Sequence, residues 1–189
     1  MICANNVNRS TEAHDHLFAA GLRVCSYGAG NKVRFPGPTR YDPRIYDFQT
    51  PYVQMYEELK AENEELFTRN GVLSMLKRDI ITKRAPQRWQ DATMKEINSL
   101  DVIICFEERI YDIVLEDIQL RSPNEFKPLH VICLDIKDTP EHAKIGGQLA
   151  LSLCHSLNHV ENHSQALSKK IEIWQDENGI KLHYSLIFL

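Results

Sequence analysis

Two apolar runs, Asp101 to Cys105 and Leu129 to Leu134, constrain the fold of this chain more than any other feature. Both are continuous rather than alternating, the pattern of strands buried on two faces of a parallel sheet. Between them, Glu107 to Leu120 places Ile110, Val114 and Ile118 on one helical face. Strand, helix, strand in that order is a βαβ unit, and parallel strands need such a crossover.

The rest of the chain extends this alternation. Downstream, Glu141 to Val160 reads as a helix with a stripe at Ile145, Leu149, Leu153 and Leu157, and Gln165 to Asp176 as another, ended by Asn178-Gly179. Leu182 to Phe188 reads as a closing strand. Upstream, Ser10 begins a helix that Gly21 ends, and Leu22 to Tyr27 reads as a strand centred on Val24. Gly28-Ala29-Gly30 then turns the chain. From Lys32 to Pro51, the prolines and Gly37 predict a long loop, a length that in a compact domain is usually functional. Tyr52 to Arg69 is a charged helix with Met55, Leu59 and Leu66 inward, and Gly71 to Lys77 a short helical turn. A basic, proline-broken stretch follows, solvated except where Trp89 packs onto the body. The order predicts an α/β, doubly wound, three-layer fold with a central, mainly parallel sheet. One domain is expected over 1–189, with an inserted helical region at about 32–92.

The 26 acidic and 22 basic residues leave a net charge of −4, which argues against direct nucleic-acid or anionic-membrane partners. No apolar run reaches membrane-spanning length. The five cysteines are odd in number and lack metal-ligand spacing, so a reducing compartment is expected. Three of them sit in apolar runs, where a small buried thiol is the expected role.

The chemistry concentrates in Cys3-Ala4-Asn5-Asn6-Val7-Asn8-Arg9-Ser10, a C-x5-R-S loop that opens a helix. Five residues between Cys3 and Arg9 allow the backbone to curl into a nest of converging N–H groups. The helix behind it aims its positive end at the same point. Such an anion cradle favours a thiolate over a thiol, because only the thiolate gains from the donors. Arg9 offers a planar fork matched to two phosphate oxygens. Ser10 can donate to the sulfur, and Asn6 suits a left-handed backbone position. Doubly wound folds bind ligands at the carboxyl ends of their strands, and Cys3, Glu107 and Asp138 each follow such an end. A thiolate that takes phosphate from a serine needs an acid for the leaving alkoxide. Asp135 and Asp138 lie on the loop after the last core strand. Asp138, two residues before Pro140, is the better placed, and Asp135 reads as a loop-holding group or helix cap. The eight histidines are scattered, and His155, His159 and His163 at helical spacing read as a solvated or partner-facing stripe. Neither a metal nor a cofactor is expected.

Cys-x-x-Asn-x-x-Arg-Ser with a late Asp loop resembles the low-molecular-weight tyrosine phosphatase fold, which arsenate reductases share. More specifically, the chain resembles the Ssu-seventy-two family, phosphatases of the RNA polymerase II C-terminal domain. The matching residues are Asn8 to His14, Ser26-Tyr27-Gly28, Pro36-Gly37-Pro38, Tyr46-Asp47-Phe48, Asn70-Gly71, Glu107 to Asp112 and Asp135 to Asp138. The resemblance implies a substrate phosphorylated on the fifth heptad serine and followed by a cis proline, a minority and slowly exchanging form. It makes Cys3 the nucleophile, Arg9 a phosphate ligand and Asp138 the acid. It places Lys32, Phe35, Pro36, Gly37, Phe67 and Met75 at the substrate. It further implies nuclear localisation, or nuclear and cytoplasmic, with a role in transcription termination and mRNA 3′-end processing. A symplekin-type scaffold and cleavage and polyadenylation factors are the implied partners.

The family usually carries Tyr where Phe67 stands and Met where Thr11 stands. It also has a full apolar strand before the nucleophile, where this sequence has Met1 and Ile2. The sequence therefore reads as a shortened isoform or gene model, with a central strand below the usual five or six residues. Two other readings stay open: a catalytically impaired phosphopeptide-binding paralogue, and a tyrosine phosphatase or arsenate reductase of the same fold.

Overall fold

The computed structural model describes residues 1–39, 41–121, 126–158 and 164–189. In chain order they form β1 (Ile2–Cys3), α1 (Arg9–Ala19), β2 (Tyr27–Gly28), β3 (Val33–Phe35), β4 (Arg44–Tyr46), α2 (Tyr52–Arg69) and α3 (Val72–Thr82). A short 3-10 turn at Trp89–Asp91 leads to α4 (Met94–Asn98), β5 (Val102–Cys105) and α5 (Glu108–Leu120). Then come β6 (Pro128–Cys133), α6 (Pro140–Leu157), α7 (Ser164–Asn178) and β7 (His183–Phe188).

The main sheet has the order β2-β1-β5-β6-β7. Its first four strands are parallel and β7 is antiparallel to β6. The expected βαβ unit is β5-α5-β6, with Ile110, Val114 and Ile118 buried under the sheet. Side chains alternate across the sheet as the pleat requires. Ile103, Cys105, Val131 and Cys133 pack toward α5. Ile104, Ile132 and Leu134 pack toward α1, α6 and α7 on the opposite face. These three layers are the predicted doubly wound α/β fold.

Several expectations are corrected. The strand expected at Leu22–Tyr27 is two residues long and begins where it was expected to end. The 32–51 segment is not all loop, because β3 and β4 pair antiparallel, Val33 opposite Tyr46. Prolines flank that ribbon without entering its ladder, which is where they are tolerated. α3 extends five residues beyond the expected end at Lys77, absorbing part of the basic stretch. α2 has the expected span but kinks at Asn63, whose side-chain oxygen accepts from the Leu66 N–H at 2.9 Å and caps the second half. Leu66 is only half-buried there, and its neighbour Phe67 takes the core position.

The expected stripe on α6 is buried only at its C-terminal half, at Leu153 and Leu157, with Leu149 partly buried. Ile145 is 52% exposed, while Ala143, Gly146, Gly147, Ala150, Leu153 and Leu157 are buried. A Cβ on Gly147 would stand 2.5 Å from the His16 ring, so the small residues let α1 and α6 close together. Of the predicted histidine stripe, His155 is exposed, while His159 and His163, with Val160, lie outside the described residues.

β1 is short, as expected, yet it is paired on both sides, Ile2 with Tyr27 of β2 and with Cys105 of β5. It stands second from one edge, and β5 is the middle strand. Behind its N-terminal end lies a cavity of about 480 Å³, with Met1, Val24, Cys25, Leu100 and Val102 among its walls.

Candidate active site

The Cys3–Ser10 loop leaves the carboxyl end of β1 and enters α1 at Arg9, one residue earlier than expected. Its backbone is held by the turn after β2. The N–H groups of Ala29 and Gly30 donate to the carbonyls of Cys3 and Ala4, each at 2.9 Å. A Cβ on Gly30 would lie 2.8 Å from the Ala4 oxygen, which is why the chain has glycine there. Asn6 takes the left-handed conformation expected of it, with φ of 57°.

The Asn6 side chain sets the direction of the bonds around the sulfur. Its Oδ1 accepts from the Gln87 N–H at 3.0 Å, so its Nδ2 is the end that donates to Ser10 Oγ, also at 3.0 Å. Ser10, already an acceptor, is then free to aim its hydrogen at Cys3 Sγ, 3.1 Å away. The Asn6 N–H also donates to the sulfur at 3.3 Å. Cys3 itself is 2% exposed, beneath the mouth of the loop.

Arg9 is 3% exposed, and most of its fork is engaged by protein. Nη1 donates to the carbonyls of Phe106 at 2.9 Å and Ile136 at 2.8 Å, and Nη2 donates to Glu107 Oε2 at 2.8 Å. The expected fork onto two oxygens is therefore reduced to Nε–H and the second hydrogen of Nη2. Nε lies 3.3 Å from Asp138 Oδ1, close enough for attraction between charges but not aligned as a hydrogen bond. Burial opposes the Arg9 charge, but the negative charges of Cys3, Asp138 and Glu107 outweigh it and raise its pKa above the ordinary value.

Asp138 sits on the loop after β6, its side chain 45% exposed, and accepts from Asn8 Nδ2 at 2.8 Å. The loop is fixed by the Leu134 and Ile136 N–H groups, which donate to the carbonyls of Cys105 and Phe106. Thr139, not Asp135, caps α6, its hydroxyl accepting from the His142 N–H at 3.3 Å. Asp135 is exposed. Cys3, Arg9, Glu107 and Asp138 thus gather at one rim, from the ends of three adjacent parallel strands. Glu107 was noted in the sequence only for its place after a strand and within a stretch that resembles the family, with no role assigned to it. No sequence spacing could pair it with Arg9, 98 residues away.

The expected substrate residues separate into two groups. Lys32, Pro36, Gly37 and Met75 reach the surface at least in part, and Lys32 pairs with Asp47. Phe35 and Phe67 are 1% and 0% exposed and belong to a core cluster with Val7, Val33, Leu73 and Leu76. They support the wall beside the loop from within instead of facing a ligand. Asn70 Nδ2 reaches the Pro36 carbonyl at 3.4 Å and joins the α2–α3 corner to the ribbon.

Sequence reasoning gave no role to Asp79 or Tyr52 and read Arg78 and Lys83 as part of a solvated basic stretch. Instead all four lie close behind the loop, with Arg78 only 19% exposed and Lys83 half-buried, donating to the Ser26 carbonyl. Arg78 bonds Val7 O, Thr11, Asp79 and Glu12. Burial raises the Asp79 carboxyl to about 7 against the pull of Arg78, and burial lowers the Lys83 amine to about 8. Among the described residues no cluster of three or more His, Cys, Asp or Glu is placed to hold a metal ion.

The chain has counterparts among known proteins. The family model described as Ssu72-like protein matches residues 1–189. A relative from Danio rerio, the RNA polymerase II C-terminal domain phosphatase SSU72, is 38% identical over 188 residues, covering 100% of this chain and 95% of its own. Its namesake from Schizosaccharomyces pombe is 42% identical over 182 residues, covering 96% of this chain and 90% of its own. A crystal structure described as the serine phosphatase of the RNA polymerase II CTD from Drosophila melanogaster matches with a TM-score of 0.94 at 30% identity, over 100% of this chain and 97% of that one. A second, of D. melanogaster Ssu72 with Symplekin bound to a cis peptidomimetic phosphoserine-5 CTD peptide, matches with a TM-score of 0.93 at 29% identity, over 100% and 96%. With its whole length matched in sequence and in fold, the chain belongs to the Ssu72-like family.

Proposed function

We propose that this chain is a cysteine-dependent protein serine phosphatase that removes phosphate from Ser-Pro sites of the RNA polymerase II C-terminal domain. The observation that carries the reading is the juxtaposition of Cys3 Sγ, held by Ser10 and the Asn6 N–H, with Asp138, which Asn8 of the same loop holds beside Arg9.

The Cys3 thiolate attacks phosphorus as the P–O bond to serine breaks. Arg9 Nε–H, the free Nη2 hydrogen and the loop N–H groups bind the phosphoryl oxygens, stabilising their charge in place. Asp138, protonated, gives its proton to the leaving serine oxygen. Now a carboxylate, it takes a proton from water as that water attacks the phosphocysteine. The P–S bond breaks, and Cys3 leaves as a thiolate steadied by Ser10. Lys32, Pro36, Gly37 and Met75 border the peptide, with Phe35 and Phe67 behind them. A nuclear location follows, with a role in transcription termination and mRNA 3′-end processing beside a symplekin-type scaffold and cleavage and polyadenylation factors.

The test is phosphate release from a phosphoserine-proline heptad peptide by the native chain, Cys3→Ser and Asp138→Asn. Cys3→Ser should abolish release, and Asp138→Asn should lower it by about 10²–10⁴-fold, the usual contribution of a positioned acid. Intact serine turnover by Asp138→Asn would overturn the acid assignment. Peptide binding by the native chain without release would establish the alternative of a binding paralogue instead. Turnover of phosphotyrosine alone would replace the serine reading with a tyrosine phosphatase.

A further inference from the structure

The carbonyls of the phosphate loop, not only its N–H groups, have assigned partners. Tyr52 of α2 donates its hydroxyl hydrogen to the Asn6 carbonyl. Arg78 of α3 donates from Nη2 to the Val7 carbonyl at 3.1 Å. The Asn8 carbonyl accepts from the Thr11 hydroxyl at 3.1 Å and from the Glu12 N–H at 2.9 Å. Three consecutive carbonyls are therefore held on the outer side of the loop. In a planar trans peptide the C=O and the following N–H point in opposite directions. Fixing these carbonyls outward turns the N–H groups of Val7, Asn8 and Arg9 inward, toward the anion.

We infer that Tyr52 and Arg78 are positioning residues for the phosphate loop, through which the inserted helices α2 and α3 fix the direction of its N–H donors. Arg78 is built for this. Asp79, 0% exposed, accepts from its Nε and Nη2 at 2.9 and 2.7 Å, and Glu12 accepts from its Nη1. Nη2 also reaches Thr11 Oγ1 at 2.7 Å, so its two hydrogens are shared among Val7, Thr11 and Asp79, and the Thr11 hydroxyl hydrogen goes to Asn8. The Thr11 hydroxyl therefore ties α3 to the loop at one further point. Tyr52 is 0% exposed and its burial raises the hydroxyl well above the ordinary tyrosine pKa, which keeps it a donor. Neither residue touches the sulfur, and the expected substrate contacts do not include them.

The inference rests on reading the loop as a phosphate cradle, and it is tested with tungstate, a tetrahedral oxyanion that needs the cradle and no peptide. Absent turnover of the serine peptide would therefore count against the proposed substrate and not against this inference. Calorimetric titration of the native chain, Tyr52→Phe, Arg78→Lys and Arg78→Met is the measurement. Tyr52→Phe and Arg78→Met should each bind tungstate about ten-fold more weakly, the size of one lost hydrogen bond. Arg78→Lys, which keeps a cation but not the fork, should recover part of that loss. Arg78→Met also strips Asp79 of its counter-charge and lowers stability, so Tyr52→Phe, which removes a single oxygen, decides the matter alone. A Tyr52→Phe chain with native circular dichroism and a tungstate dissociation constant within about two-fold of native, less than one typical hydrogen bond, would overturn the inference.

Discussion

Replacing Glu107 with Gln should weaken the catalytic site by a predictable amount. Three hydrogen bonds from protein groups hold the Arg9 guanidinium, and Glu107 is the only charged acceptor among them, at 2.8 Å. Glutamine keeps the size and an acceptor oxygen, so the substitution isolates the charge. A hydrogen bond to a charged group contributes about 1.5–3 kcal/mol and a neutral one about 0.5–1.5, a difference near 1–1.5 kcal/mol. The Glu107 side chain is 27% exposed, which places the expected loss near the lower value, about 1 kcal/mol. In a chain of 189 residues that lowers the thermal midpoint by about 2–4 °C. The kinetic effect has a sign as well. With Glu107 neutral, a carboxylate that competes with phosphate for Arg9 is gone, so KM should hold or fall. The fork itself is less firmly oriented, so kcat should fall about ten-fold, as expected when a positioning contact loosens. Thermal unfolding and steady-state kinetics on the phosphoserine-proline peptide measure both. A large rise in KM with kcat unchanged would refute the reasoning, since it would mean that Glu107 acts as a substrate contact and not as the anchor of Arg9.

His14, bonded to Ser26 Oγ at 3.1 Å, has its pKa lowered from 6.5 to about 4 by burial, with the N-terminal amine and Lys83 adding to the effect. Between those values the unfolded chain binds the proton that the folded one refuses, so stability should fall as pH drops from 6.5 toward 4, and denaturation of His14→Gln across that range should show a flatter profile. Gly30→Ala would set a Cβ 2.8 Å from the Ala4 carbonyl, a backbone atom with little room to move, and should cost about 1–3 kcal/mol in urea unfolding together with most of the tungstate affinity. Thr139→Ala removes the cap of α6 and should cost about 1 kcal/mol in the same assay; a loss of serine turnover much larger than this would show that the cap also aligns the Asp138 loop.

The sequence by itself determined the parallel-sheet frame and the local geometry of the Cys3–Ser10 loop, because both are set within a few residues. Continuous apolar runs at 101–105 and 129–134 could be satisfied only by strands covered on both faces, and β5 and β6 lie within a residue or so of those limits. C-x5-R-S carries its geometry within eight residues, so Asn6, Ser10 and Cys3 meet as their spacing required. Elements made by approach were less legible. The α6 contact with α1 is built from Gly and Ala, whose low hydrophobicity hides them from a stripe of Ile and Leu. The β3–β4 ribbon runs through a proline-rich segment, and Phe67 is core because the ribbon and α3 close over it.

Only the tertiary structure could decide which carboxylate anchors Arg9, that Asn8 holds Asp138 across 130 residues, and that Tyr52 and Arg78 brace the loop from behind. Such pairs leave no periodicity in a sequence, since their spacing is set by how the sheet and the insertion pack and not by the repeat of a helix or strand. The curl of a Cys-x5-Arg-Ser loop is local structure that a short motif can announce. The direction in which its donors point is settled by groups brought from 46 to 71 residues away.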